Sequence, residues 1–164
     1  MADAIAITAR GPAPSGVPAL LAGDVKYLVV HCSATPAAQD LHVADIDRMH
    51  RLRGFLSCGY HFVITRDGAV EAGRALTQRG AHVEDYNWCS IGICLIGGVD
   101  ASKLMKPEAN FTAIQYSVLR DKLIDLQHHF PQAAIQGHRD FPHVAKACPC
   151  FNVKDWMKTG RITP

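Results

Sequence analysis

The residues in this chain best suited to chemistry are its nine histidines and six cysteines. Neutral imidazole and thiolate are the side chains that bind a borderline metal such as zinc. The cysteines stand at 32, 58, 89, 94, 148 and 150, without the repeated Cys-x-x-Cys pairs of a zinc finger. No compact motif declares a site, so context has to pick the candidates. His31 follows the run Tyr27-Leu28-Val29-Val30, and His138 follows the run from Ala133 to Gln136. Both therefore lie just past the carboxyl ends of predicted strands, where open sheets expose their functional edges. Cys148 follows His138 by a short loop. Two imidazoles and a thiolate would leave the fourth tetrahedral position to water, as catalytic zinc requires. Spacing alone leaves a second reading open, in which strand-end histidines only satisfy local hydrogen bonds.

The elements that would position these residues are legible in the periodicity. Tyr27 to Val30 is β-rich and apolar on both faces, which predicts a central strand. Val43 to Arg53 repeats apolar groups at Val43, Ile46 and Met49 and meets Gly54, the pattern of an amphipathic helix with a glycine stop. Tyr60 to Thr65, the turn Arg66-Asp67-Gly68 and Ala69 to Ala72 predict a hairpin. Ser90 to Ile96, closed by Gly97-Gly98, predicts a second central strand. Thr112 is placed to cap a helix running to about His129, with a stripe of Tyr116, Leu119, Leu123, Leu126 and Phe130, and Pro131 stops it. A short strand over Ala133 to Gln136 and a small helix near Val153 to Lys158 complete the pattern. Strands alternating with helices imply an α/β fold, a single domain whose central mixed sheet is flanked by helices.

Composition narrows the class. With 164 residues, 48% hydrophobic and 20% charged, the chain falls in the range of one ordinary globular domain. The net charge is only +2, and Lys and Arg are scattered, so nothing suggests a nucleic-acid footprint. No run approaches the length of a membrane-spanning helix. Residues 1–24 are rich in Gly and Pro, with Asp3 where a secretory signal needs positive charge, and are read as a surface arm ahead of a catalytic domain at 25–164. The cysteines are too sparse for a disulfide scaffold, so most are expected to be reduced and to pack as small apolar groups.

Six segments occur in an order that resembles the zinc-dependent N-acetylmuramoyl-L-alanine amidase family. They are Val30-His31-Cys32-Ser33-Ala34-Thr35, Gly59-Tyr60-His61-Phe62, Arg66-Asp67-Gly68, Ser90-Ile91-Gly92-Ile93-Cys94-Leu95, Gly137-His138-Arg139 and Lys146-Ala147-Cys148-Pro149. The resemblance runs from about Lys26 to about Trp156, and the family shares its fold with animal peptidoglycan recognition proteins. It implies one zinc ion per chain, held by His31, His138 and Cys148, with Tyr60 and Lys146 as catalytic side chains. His82 and Asn87 match positions near the cleft and are candidates for substrate contact, with local loop hydrogen bonding as the alternative. Asp140 is a candidate for a group behind the ligands. Many relatives carry Glu where this chain has Cys94, which shifts proton handling toward Tyr60. Cys150 is a second thiol near the metal, read as buried and inert, or else as a competing ligand or an oxidation partner of Cys148.

The resemblance implies a peptidoglycan hydrolase of the endolysin kind, cutting the amide between N-acetylmuramic acid and L-alanine. Its partner would be the glycan strand with its stem peptide, with no nucleic acid and no stable membrane insertion, and the protein would be a monomer. It would gather in the host bacterial cytoplasm and act on the wall after membrane permeabilisation. Two alternatives accompany this reading: a peptidoglycan-binding module without catalysis, and an amidase that also inhibits an RNA polymerase. The retained thiol at Cys148 favours the enzyme. Nothing in Met1 to Val25 resembles the arm expected for polymerase binding.

Overall fold

The computed structural model describes residues 16–102 and 104–164. In chain order its elements are β1 (Tyr27–Cys32), β2 (Thr35–Pro36), α1 (Val43–Leu52), β3 (Phe62–Ile64), β4 (Val70–Ala72), β5 (Ser90–Leu95), β6 (Gly98–Val99), α2 (Ala113–His129), β7 (Ala134–Gly137) and α3 (Val153–Thr159). Five strands form one sheet in the order β4-β3-β5-β1-β7. β1 runs parallel to both β5 and β7, β3 runs parallel to β5, and only the β3–β4 hairpin is antiparallel. The sheet is thus mixed, as the hairpin signal implied, and the two runs apolar on both faces occupy its interior.

Helix boundaries follow from local chemistry. The Thr112 hydroxyl accepts the Gln115 N–H at 3.2 Å while the Gln115 side chain accepts the Thr112 N–H at 3.0 Å, closing a capping box at the start of α2. The Gln115 amide then donates to the Ile64 and Ile96 carbonyls, which anchors the helix start to the ends of β3 and β5. At α1, Glu71 on β4 accepts the Val43 N–H and pairs with the His42 ring. Beyond α1, Gly54 takes a φ of 88° that a side chain would disfavour. Leu119, Leu123 and Leu126 are fully buried against the sheet, each worth about 1.5–3 kcal/mol in removed apolar area.

Alternation along the interior strands sorts the two faces of the sheet. Leu28, Val30 and Cys32 of β1, with Ile91, Ile93 and Leu95 of β5, join the main core beneath α2. Val29 and Cys94 face the other way, into smaller clusters formed with Phe141 and Val83 or with Ile46 and Val63. His31 shares the parity of Val29 and pairs in register with Cys94. It therefore projects from the face opposite α2.

Residues 1–15 of the expected surface arm lie outside the described residues. The part described is held by the loop at residues 77–79: Leu20 is buried and its N–H donates to the Thr77 carbonyl, and the Arg79 N–H donates to Pro18. The pairing of β2 with β6 had no counterpart in the sequence reading, because two residues a side carry no period.

Candidate metal centre

His31 enters the site from β1, where it is 1% exposed and so fixed by the packing of an interior strand. His138 opens the short 3-10 turn His138–Asp140 after β7, the neighbour of β1 on its other edge. Asp140 steadies that turn by accepting the Gly137 N–H at 2.9 Å. Cys148 arrives on the loop before α3, where the Arg139 N–H donates to its carbonyl at 2.8 Å. Three distant segments thus converge. One ligand atom from each of His31, His138 and Cys148 lies within 4.8 Å of the others, and Cys148 Sγ is 3.8 Å from His31 Nδ1. The Cys32 backbone N–H points at Cys148 Sγ from 3.2 Å, the contact that stabilises a thiolate.

His82 sits behind this cluster. Its Nδ1 is 3.0 Å from His31 Nε2. The Ser90 hydroxyl donates to the Tyr86 carbonyl at 2.7 Å, so toward His82 Nε2, at 3.5 Å, it is an acceptor. That assignment puts the His82 proton on Nε2, leaves Nδ1 to accept from His31 Nε2–H, and turns the His31 Nδ1 lone pair toward the cluster. Asn87 uses its side-chain oxygen to hold the His82 and Val83 N–H groups at 2.8 and 3.0 Å. Glycine makes the room: a Cβ on Gly92 would stand 2.7 Å from the His82 ring, and one on Gly80 would stand 2.3 Å from it.

The electrostatics favour a ligand state. Burial first, then His82, His138 and Lys146, hold His31 far below the ordinary imidazole range. Burial and Lys146 lower His138 to about 4. Both rings are therefore neutral near pH 7, the form in which imidazole donates a lone pair. The Tyr60 ring lies tilted against His31, with ring centroids 5.1 Å apart. Burial, followed by the thiols of Cys94, Cys148, Cys32 and Cys58, raises its phenol well above 10, so the hydroxyl stays protonated. Lys146 is exposed, and its charge reaches both His31 and His138.

Other histidines and cysteines near the cluster have separate roles. His50 accepts the Gly59 N–H, and His61 bridges Gly92 and Gln78, so both serve the fold. Cys94 is fully buried beside Ile46 and Val63. Cys150 contacts Cys32 rather than Cys148, with the two sulfurs 3.8 Å apart. The sequence reading did not single out Ser90 or the glycines around His82. Glycine inside the central strand at 92 is the usual sign of a close approach and was the one signal available.

The sequence matches the profile of the N-acetylmuramoyl-L-alanine amidase family over residues 21–151. The chain belongs to that family. It is a peptidoglycan hydrolase, an N-acetylmuramoyl-L-alanine amidase by class. Among its relatives, the endolysin of Enterobacteria phage K11 is 48% identical over 139 residues, covering 85% of this chain and 89% of the relative. The endolysin of Escherichia phage T7 is 42% identical over 135 residues, covering 82% and 87%. Among solved structures, the wild-type Drosophila peptidoglycan recognition protein PGRP-LB superposes with a TM-score of 0.66 at 26% identity, covering 85% of this chain and 82% of that one. The amidase LysC from Clostridium intestinale gives the same TM-score at 23% identity, with 80% of each chain covered.

Proposed function

We propose that this amidase is an endolysin whose His31, His138 and Cys148 hold a single zinc ion. The observation that carries the proposal is the convergence of two neutral imidazoles and a thiol within 4.8 Å. Their donor set suits zinc in chemistry as well as in count: two nitrogens, one sulfur that already receives a backbone N–H, and an imidazole held in one tautomer by His82. When bound there, zinc supplies Lewis acidity and makes hydroxide available from water near neutral pH.

The chain's own residues do the rest. Tyr60, protonated and beside His31, donates a hydrogen bond at the reacting centre and orients the attacking water. Lys146, on the open rim, places an ammonium where negative charge develops on the lactyl carbonyl oxygen. Cys94 is buried and takes no part in proton transfer, so that work falls to Tyr60. His82 and Asn87 face inward from the groove, and we assign them the positioning of His31 in preference to substrate contact.

The substrate is the amide between N-acetylmuramic acid and L-alanine, presented on a glycan strand with its stem peptide. A solved relative, a variant of Drosophila PGRP-LB, is described in complex with tracheal cytotoxin, which supports a groove for such ligands in this fold. Residues 25–164 make up the catalytic domain, acting as a monomer. No helix among the described residues is long and apolar enough to cross a membrane. From its likeness to phage endolysins, we place the protein in the host bacterial cytoplasm until the membrane is opened, after which it reaches the wall. The test is digestion of purified peptidoglycan. New alanine amino termini without new reducing ends are the expected result, and those termini should not form with Cys148→Ser. New reducing ends without alanine termini would indicate a glycosidase.

A further inference from the structure

Cys32 and Cys150 touch through their thiols. They are 118 residues apart in sequence, yet their sulfurs are 3.8 Å apart. Both thiols are seated on Gly98. A Cβ there would stand 2.6 Å from Cys32 Sγ, and Cys150 Sγ donates to the Gly98 carbonyl at 3.0 Å. The missing side chain of Gly98 is what lets the two sulfurs share one pocket. Cys150 holds a φ of 77°, and the turn closed by its N–H on Ala147 aims its side chain back at β1. A disulfide needs the sulfurs at about 2.05 Å, a closure of under 2 Å from their present 3.8 Å. Cys150 also lines a surface groove with Arg139 and Lys146, whose charges suit an anionic reagent.

We propose that Cys32 and Cys150 form an intramolecular disulfide on exposure to a small-molecule disulfide, such as oxidised glutathione. Cys150, the partner that lines the groove, attacks the oxidant's disulfide, gives up its proton and forms a mixed disulfide, expelling one glutathione thiolate. Cys32 then attacks the Cys150 sulfur and expels the second. The two protein protons end on the two glutathione thiols, and two electrons pass from the protein to the oxidant. The bond ties the end of β1, beside His31, to the loop that carries Cys148. It braces the site without consuming the ligand thiol, and it would form on leaving a reducing compartment for an oxidising one. The proposal does not depend on the assignment of zinc, only on the contact between the two thiols.

The experiment treats the protein as purified with its metal with oxidised glutathione, followed by peptide mapping under non-reducing conditions. The expected result is loss of two hydrogens, a cross-linked peptide pair containing Cys32 and Cys150, and retained wall lysis. The melting temperature should rise by roughly 5–15 °C, given the long loop closed, and return on reduction. Cys150→Ser should keep lysis and lose the cross-link. A cross-link that contains Cys148, a glutathione adduct on Cys150 that never resolves, or two unmodified thiols would each overturn the proposal.

Discussion

Replacing His82 with alanine tests the positioning of the metal centre most sharply. His31 is 1% exposed, and among the described residues the partner of its Nε2 is His82 Nδ1 at 3.0 Å. Without that acceptor, the competent tautomer keeps a buried N–H with no partner, which costs about 1–3 kcal/mol. The ring then prefers the other tautomer, whose Nδ1 carries a proton and offers no lone pair toward Cys148. Zinc affinity should fall by roughly 5- to 150-fold, the ratio that this energy sets. The range agrees with the effect of removing groups behind zinc-binding histidines elsewhere, about 10- to 100-fold. Competition against a chromogenic chelator measures the Kd, and steady-state lysis at saturating zinc measures KM for peptidoglycan. An unchanged zinc Kd with a raised KM would refute the reasoning and return His82 to substrate contact.

Three further predictions follow from named residues. Gly92→Ala places a methyl 2.7 Å from the His82 ring, so thermal melting should show a loss of about 1–3 kcal/mol and zinc titration a weaker site; normal values for both would mean the ring is not confined there. Tyr60→Phe removes the hydroxyl while keeping the ring, and kcat should drop by about 100-fold or more with KM and zinc content preserved; a change confined to KM would assign Tyr60 to binding. Burial lowers His61 from 6.5 to about 4, so the unfolded chain binds more protons between those values. Stability contributed by neutral His61 is complete above pH 6.5 and is lost as pH falls toward 4, by about 3 kcal/mol at full effect. Denaturant unfolding of chelated protein across that range should show a pH slope that His61→Gln makes shallower by about one proton; an identical slope in the variant would contradict it.

Much of the fold was readable because its drivers are periodic. The interior strands β1 and β5, the hairpin across Asp67-Gly68 and the Thr112-capped α2 each carry a local signal that packing reinforces. The cluster of His31, His138 and Cys148 was readable from strand ends and from resemblance, and the structure brings the three together. What stayed hidden depends on contacts across the sequence. The tautomer of His31 is set through His82 by Ser90 and Tyr86, and no pattern in those residues announces the direction of a proton. The meeting of Cys150 with Cys32 required the glycine gap at position 98 and the turn at residues 147–150, so proximity in sequence pointed to Cys148 instead.

Elemental analysis of the purified chain and of Cys148→Ser addresses the central claim most directly. The account predicts about one zinc ion per wild-type chain and close to none in the variant, with both chains folded by circular dichroism. Equal zinc in the two, or none in a wild-type protein that still lyses the wall, would contradict it.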